Sequence, residues 1–251
     1  MDLREFLADL EATEALLHVM EPVSPHLDVA SHIFRHDGQP LCFDSLTGYP
    51  GWRCIAGVMA QRGIIARALG GRGEVQDLMH RITEAVLSSM ANPQPPPRVE
   101  AAPCQEVIVP DVDLHRLPIP RYHPRDGGPY ITAGVTVVHD PDHGRNLSFH
   151  RWMLRDAQHF TGRIVEGRGT HTAWRKAPEG LPIAVCIGLP PHVLLAAALS
   201  PPKGVDELGI AQALAPTPVT CCQTVPLEIP AMAELVLEGV LTHDLDAEGP
   251  F

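Results

Sequence analysis

Apolar positions along the first hundred residues alternate between helical and strand spacing. From Asp2 to about His18, Leu3, Phe6, Leu7, Leu10 and Leu17 recur every three or four residues, which predicts an amphipathic helix. A second helix is predicted after Pro25, over HLDVASHIFRH. Short strands follow at QPLCFDSL and WRCIAGVMA, then helices at QRGIIARALG and EVQDLMHRITEAVLSSM. This is an α/β pattern without a glycine-rich phosphate loop.

The stretch ANPQPPPRVEAAPC (91–104) holds five prolines and almost no bulky apolar residue. It cannot sustain a helix and reads as a linker, placing a domain boundary near residue 100. Beyond it the period changes. QEVIVP, YITAGVTVVHD, RNLSFHRWML, GRIVEG, LPIAVCIGL, PVTCCQTVPLEI and ELVLEGVL are short, mostly rich in β-branched residues and bounded by Pro, Gly or Asp. Helices are predicted at HTAWRKA and PHVLLAAALS, with a shorter turn at VDELGIAQAL. Many strands and few helices predict a barrel or sandwich carrying inserted helices, so the fold class is α+β: an α/β segment over 1–100 and a β-rich one over 101–251.

Composition narrows the function. With 45% hydrophobic residues the chain can bury a sizeable core, and a net charge of −11 argues against general nucleic-acid binding. No apolar run approaches the roughly 18–20 residues of a membrane span, and the acidic start lacks the basic and apolar regions of a signal peptide. The six cysteines, at 42, 54, 104, 186, 221 and 222, show no CxxC spacing and read as buried thiols, which fits a reducing cytoplasm.

Three places could carry chemistry. In GRNLSFHRWML (144–154), alternation puts Asn146, Ser148 and His150 on one face and Leu147, Phe149 and Arg151 on the other. Asn inside a strand is unfavourable and Arg on an apolar face needs a partner; a solvated edge strand is the plainer reading. In SPPKGVDELG (200–209), Glu207 falls in the first turn of a short helix, where a carboxylate is favoured by the dipole and Asp206 can cap. The last is DAEGPF, whose Glu248 lies in a turn and by itself says nothing. Oxygen, amide and imidazole ligands from such segments would suit Mn²⁺ or Mg²⁺, and the histidines in range are His150, His159 and His171.

Taken in order, VPDVDLHRLPIP, RDGGPYIT, RNLSFHRWM, SPPKGVDELG, VPLEIPAMAELVLEG and EGPF resemble the UbiD family of reversible decarboxylases, from about residue 105 to residue 251. The N-terminal part is more loosely similar to that family's small α/β domain. Each motif is weak alone; six in the family's order are specific.

The resemblance implies a split β-barrel of flavin-reductase type that binds prenylated FMN, with the phosphate held through a divalent metal (Mn²⁺, or Mg²⁺) and a potassium ion nearby. Its metal ligands, an Asn, a His and a Glu, carry over to Asn146, to His171 as the first choice, and to Glu207. Gly167 or Gly169 can align at the His position instead, and His159 is a fallback. Cofactor contacts carry over to Asn146, Ser148, Phe149, Arg151, Ala198, Leu199 and Glu207. The catalytic pair carried over is Arg151, which orients the substrate carboxylate, and Glu248, the first glutamate of the family's EGPFGE motif. The second glutamate would fall two residues past Phe251, and the family's C-terminal domain, which closes the active site and builds the dimer, lies outside these residues. The chemistry implied is decarboxylation of an aromatic, heteroaromatic or α,β-unsaturated acid. A flavin prenyltransferase would supply the cofactor, and a homo-oligomer or partner chain would complete the site. A non-catalytic flavin-binding module and an assembly subunit are the alternatives.

Overall fold

The computed structural model describes residues 1–71 and 74–251. The chain opens with α1 (Leu3–Ala12), started by a capping box in which Asp2 and Glu5 each satisfy the other's backbone N–H. This helix is shorter than its apolar periodicity predicts. It stops at Ala12, and Leu17–Val19 instead form strand β1. Non-local pairing decides this: β1 lies parallel to β2 (Leu41–Phe43), Leu17 opposite Leu41 and Val19 opposite Phe43. Between them runs α2 (Asp28–Arg35), and β3 (Cys54–Ala56) completes the sheet antiparallel to β2. Helices α3 (Arg62–Ala68) and α4 (Val75–Ala91) follow.

The proline-rich stretch after α4 forms no α-helix, only a single 3-10 turn at Pro103–Gln105, and it is tied down: Val99 N–H donates to the Val219 carbonyl and Val219 N–H to the Pro97 carbonyl. Strands β4 (Tyr130–Ile131), β5 (Val135–Asp140), β6 (Gly144–Phe149), β7 (Trp152–Leu154) and β8 (Phe160–Gly162) come next, then helix α5 (Gly169–Arg175). Strand β9 (Leu181–Ile187), helices α6 (Pro191–Ala198) and α7 (Glu207–Leu214), and strands β10 (Val219–Cys221), β11 (Glu228–Pro230) and β12 (Leu235–Leu241) complete the order. They form an antiparallel four-stranded sheet, β12-β9-β5-β6, a three-stranded sheet, β4-β7-β8, and the β10-β11 hairpin. The α+β class and split-barrel character expected from the sequence are both present.

Strands β5 and β9 occupy the middle of the large sheet and are buried on both faces. Val135, Val137, Ala184 and Cys186 join one cluster with Leu147, Val193, Leu208 and Ile210. Val138, Ile183 and Val185 join the other, with Ile131, Trp152 and Ala173. This is why LPIAVCIGL reads as an uninterrupted apolar run. Ala85 of α4 belongs to the first cluster, so the long helix packs onto the same core.

Two expected strands are absent. QEVIVP forms no strand; Val107, Ile108 and Val109 are exposed. The strand expected at GRIVEG lies earlier, at Phe160–Gly162, because it pairs with β7, Thr161 opposite Met153.

Candidate active site

Strand β6 turns a polar face away from the core. Its pairing with β5 sets Asn146 opposite Val138 and Ser148 opposite Thr136, and the buried Leu147 points the other way. The strand ends at Phe149 and β7 begins at Trp152, so His150 and Arg151 occupy a break rather than a continuous strand. The expected Arg on an apolar strand face is thereby resolved: Arg151 leaves the sheet.

Helix α7 enters against this face. Asp206 caps it, accepting from Leu208 N–H at 2.9 Å. Arg145 fastens the cap to β6, its guanidinium 2.6 Å from Asp206 and 3.1 Å from Glu228. The next residue, Glu207, is only 3% exposed. Its Oε1 accepts from Asn146 Nδ2 and its Oε2 from the Leu147 N–H, both at 3.0 Å. The carboxylate faces two neutral donors and no cation, and burial raises its pKa to about 7. A half-turn of the Asn146 amide exchanges Nδ2 for Oδ1 and would set two oxygens side by side. Gly169, at the start of α5, closes this corner: a Cβ there would lie 2.5 Å from Asn146 Oδ1.

Arg151 reaches the end of the chain. Its Nη2 donates to Glu248 Oε2 at 2.7 Å. The Glu248 side chain is 9% exposed. The Phe251 ring sits 5.2 Å from the Arg151 guanidinium carbon and 4.5 Å from the Tyr130 ring. Gly127 N–H donates to the Pro250 carbonyl at 2.8 Å, and a Cβ on Gly127 would meet the Gly249 carbonyl. So RDGGPYIT is the cradle for EGPF. Glu248 Oε1 and Arg151 Nε are both buried and have no hydrogen-bond partner among the described residues, leaving one acceptor and one donor of the pair uncommitted.

Asn146, Glu207, Arg151 and Phe251 border a cavity of about 1020 Å³. Asn146, Ser148, Phe149, Arg151, Ala198, Leu199 and Glu207, singled out from the sequence, all line it. Arg163, Arg168, Lys203 and His150 are among the other residues that line it. His150 Nε2 lies 2.9 Å from Thr170 Oγ1 and 3.0 Å from Ser148 Oγ, and burial lowers its pKa. Strand alternation already put His150 on the face of Asn146 and Ser148; for Arg163 and Arg168 no spacing signal existed.

His171 is not brought to Asn146 and Glu207. On α5, Thr170 turns to the cavity and His171, about a third of a turn further, faces the opposite side. There its Nδ1 accepts from Gly167 N–H and its ring packs on Trp174, in a second groove of about 1510 Å³ that also touches Glu248. His159 pairs with Asp156 at an exposed turn. Among the described residues no three His, Cys, Asp or Glu ligand atoms converge in the first cavity, and the α5 residue against Asn146 is Gly169.

Comparison with known proteins matches these features to one family. Residues 97–251 match the 3-octaprenyl-4-hydroxybenzoate carboxy-lyase Rift-related domain, and residues 7–86 its N-terminal domain. The chain is 37% identical to anhydromevalonate phosphate decarboxylase of Methanothermobacter thermautotrophicus over 99% of its own length and 57% of the relative's. It is 31% identical to that of Methanosarcina mazei, over 100% and 57%. Among solved structures it superposes on the UbiD-class enzyme HmfF from Pelotomaculum thermopropionicum in complex with FMN, with a TM-score of 0.92 and 37% identity over 99% of this chain and 57% of that one. It matches the closed form of Sedimentibacter hydroxybenzoicus vanillic acid decarboxylase with a TM-score of 0.92 and 28% identity, over 100% and 57%. The chain thus spans somewhat more than half the length of these relatives, and it belongs to the UbiD family.

Proposed function

We propose that the whole protein is a prenylated-FMN-dependent decarboxylase and that residues 101–251 hold the cofactor, with residues 1–100 as a distinct N-terminal domain. The observation that carries this is the convergence on one cavity of a buried carboxylate beside an amide, Glu207 and Asn146, and of the Arg151 guanidinium, which Glu248 holds from the side of the second groove.

The residues fit an anionic cofactor with a divalent ion. Glu207 is buried without a cation, Asn146 adds an amide oxygen, and Arg163, Arg168 and Lys203 supply positive charge for phosphate. Glu207 and Asn146 would hold Mn²⁺ or Mg²⁺ through oxygen, the donor type these hard ions prefer, and the ion would neutralise phosphate charge. When bound, the prenylated flavin supplies the electron sink for the pair released as CO₂ leaves.

The chain's own groups do the rest. Arg151 presents a forked cation to the substrate carboxylate, and Glu248 fixes its direction. Loss of CO₂ breaks the bond between the carboxyl group and the carbon that bears it, and that carbon takes a proton in its place. Glu248 is the carboxyl this chain offers for that transfer. The site is proposed to act in the cytoplasm and to be completed by the remainder of the protein or by a second subunit.

The test is to express the full-length protein with a flavin prenyltransferase and incubate it in D₂O with anhydromevalonate phosphate and a panel of aromatic and unsaturated acids. CO₂ release, or deuterium incorporation at the former carboxyl carbon, supports the reading. A flavin-loaded protein inert to the whole panel opposes it.

A further inference from the structure

A second group of ligand-type side chains lies in the N-terminal sheet, remote in sequence from the cavity residues. The parallel pairing of β1 with β2 sets His18 directly opposite Cys42. Asp44, two residues past Cys42, emerges on the same face. The three ligand atoms, a ring nitrogen, a thiol sulfur and a carboxylate oxygen, all lie within 4.8 Å of one another. His18 Nδ1 is 2.8 Å from Asp44 Oδ2, and Cys42 Sγ is 3.3 Å from Asp44 Oδ1. The other ring nitrogen, Nε2, lies 3.4 Å from Glu11 Oε1 at the end of α1. A carboxylate on the far nitrogen is the usual support of a metal-bound imidazole, since it fixes the ring and raises its basicity.

From this we infer that His18, Cys42 and Asp44 form a binding site for a thiophilic divalent cation, Zn²⁺ in the first instance, with Glu11 orienting His18 and solvent in the fourth position. The chemistry separates it from the oxygen-donor corner at Asn146 and Glu207. One sulfur, one nitrogen and one oxygen at tetrahedral distances of roughly 2.0–2.3 Å suit Zn²⁺, whereas Mn²⁺ and Mg²⁺ prefer oxygen. The ligands differ in access. Cys42 is 1% exposed, but the side chains of His18 and Asp44 are 34% and 23% exposed, which gives an ion a way in and leaves room for water. The thiol is protonated without metal, burial pushing it up to about 12, so the ion must displace a proton to bind. Arg53 adds a positive charge nearby that favours the thiolate and tempers affinity for the ion. Bound metal would join α1, β1 and β2, the elements that open the chain.

The test uses the protein with its Asn146–Glu207 corner disabled by Glu207→Ala, titrated with Zn²⁺ and separately with Co²⁺. One equivalent of Zn²⁺ should bind, and Co²⁺ should give a thiolate-to-metal charge-transfer band with tetrahedral d–d absorption. His18→Ala, on a partly exposed side chain that leaves the core intact, should abolish both. Cys42→Ser should remove the charge-transfer band, and Glu11→Gln should weaken Zn²⁺ binding by roughly 10–100-fold. Mn²⁺ should not compete at equal concentration. Absence of the band in the parent protein, or Zn²⁺ stoichiometry unchanged in a folded His18→Ala variant, would overturn the assignment.

Discussion

Arg151 Nη2 and Glu248 Oε2 meet at 2.7 Å across 97 positions of sequence, joining the break between β6 and β7 to the segment 246–251. Among the described residues the pair leaves Arg151 Nε and Glu248 Oε1 buried without partners. A carboxylate ligand is the group such a guanidinium lacks, and a proton is what the free carboxylate oxygen can take or give.

Replacing Glu248 with Gln keeps the shape and removes the charge. In full-length protein, Glu248→Gln should lower decarboxylation by at least about 100-fold, the usual share of a positioned acid or base, with flavin content unchanged. Arg151→Lys should raise KM as well, because an ammonium cannot fork two bonds to a carboxylate. Steady-state kinetics on both variants check this.

Gly169 probes the corner formed by Asn146 and Glu207. Its φ is not in the left-handed region, so the backbone itself would accept alanine. Yet its Cβ would lie 2.5 Å from Asn146 Oδ1 and must push that amide aside. Displacing it takes the donor from the buried Glu207 Oε1, so Gly169→Ala should lower stability by about 1–3 kcal/mol and reduce Mn²⁺ and flavin retention as well, read by calorimetry and by metal analysis of the same preparation.

Glu207 gives a pH signature in the metal-free protein. Its pKa is raised by burial from the model-peptide value of 4.5 to about 7, so the folded state holds a proton that the unfolded chain has released. Its contribution to stability is full below about 4.5 and is lost as pH rises through about 7. The loss is roughly 3 kcal/mol at about 1.4 kcal/mol per pKa unit. Glu207→Gln should flatten that slope, and Mn²⁺ should offset it only in the parent protein, both measurable by urea unfolding across pH.

His192 works in the opposite sense. It is 3% exposed on α6, its Nε2 is 3.1 Å from Thr217 Oγ1, and burial lowers its pKa from 6.5 to about 4. The unfolded chain binds the proton first, so stability is present above about 6.5 and is lost as pH falls toward about 4. His192→Asn should remove this acid-side loss, read by thermal unfolding between pH 4 and 7.

Local pattern carried much of this architecture, because helices α2 to α7 and the apolar strands state their period within a few residues. It did not carry β1: Leu17–Val19 continues a helical pattern and becomes a strand only because Leu41–Phe43 lies beside it. Exposure defeated the QEVIVP reading in the same way, since β-branched residues make a strand only when an edge is there to pair. In the site, motif order identified Asn146, Ser148, Phe149, Arg151 and Glu207 as cavity residues. His171 lies outside that cavity, since one residue along a helix changes the direction of a side chain by about 100°. The pairing of His18 with Cys42, Asp44 and Glu11 was illegible for a related reason. Their spacings carry no ligand motif, and only the parallel register brings them together.

Flavin and manganese content is the most direct check on the cofactor assignment. The full-length protein and its Glu207→Ala and Asn146→Ala variants would be co-expressed with a flavin prenyltransferase, purified, and assayed for flavin by absorbance and for manganese by mass spectrometry. The account predicts near-equimolar prenylated flavin and Mn²⁺ in the parent and loss of both together in each folded variant. Equal flavin and manganese in parent and variants would contradict it.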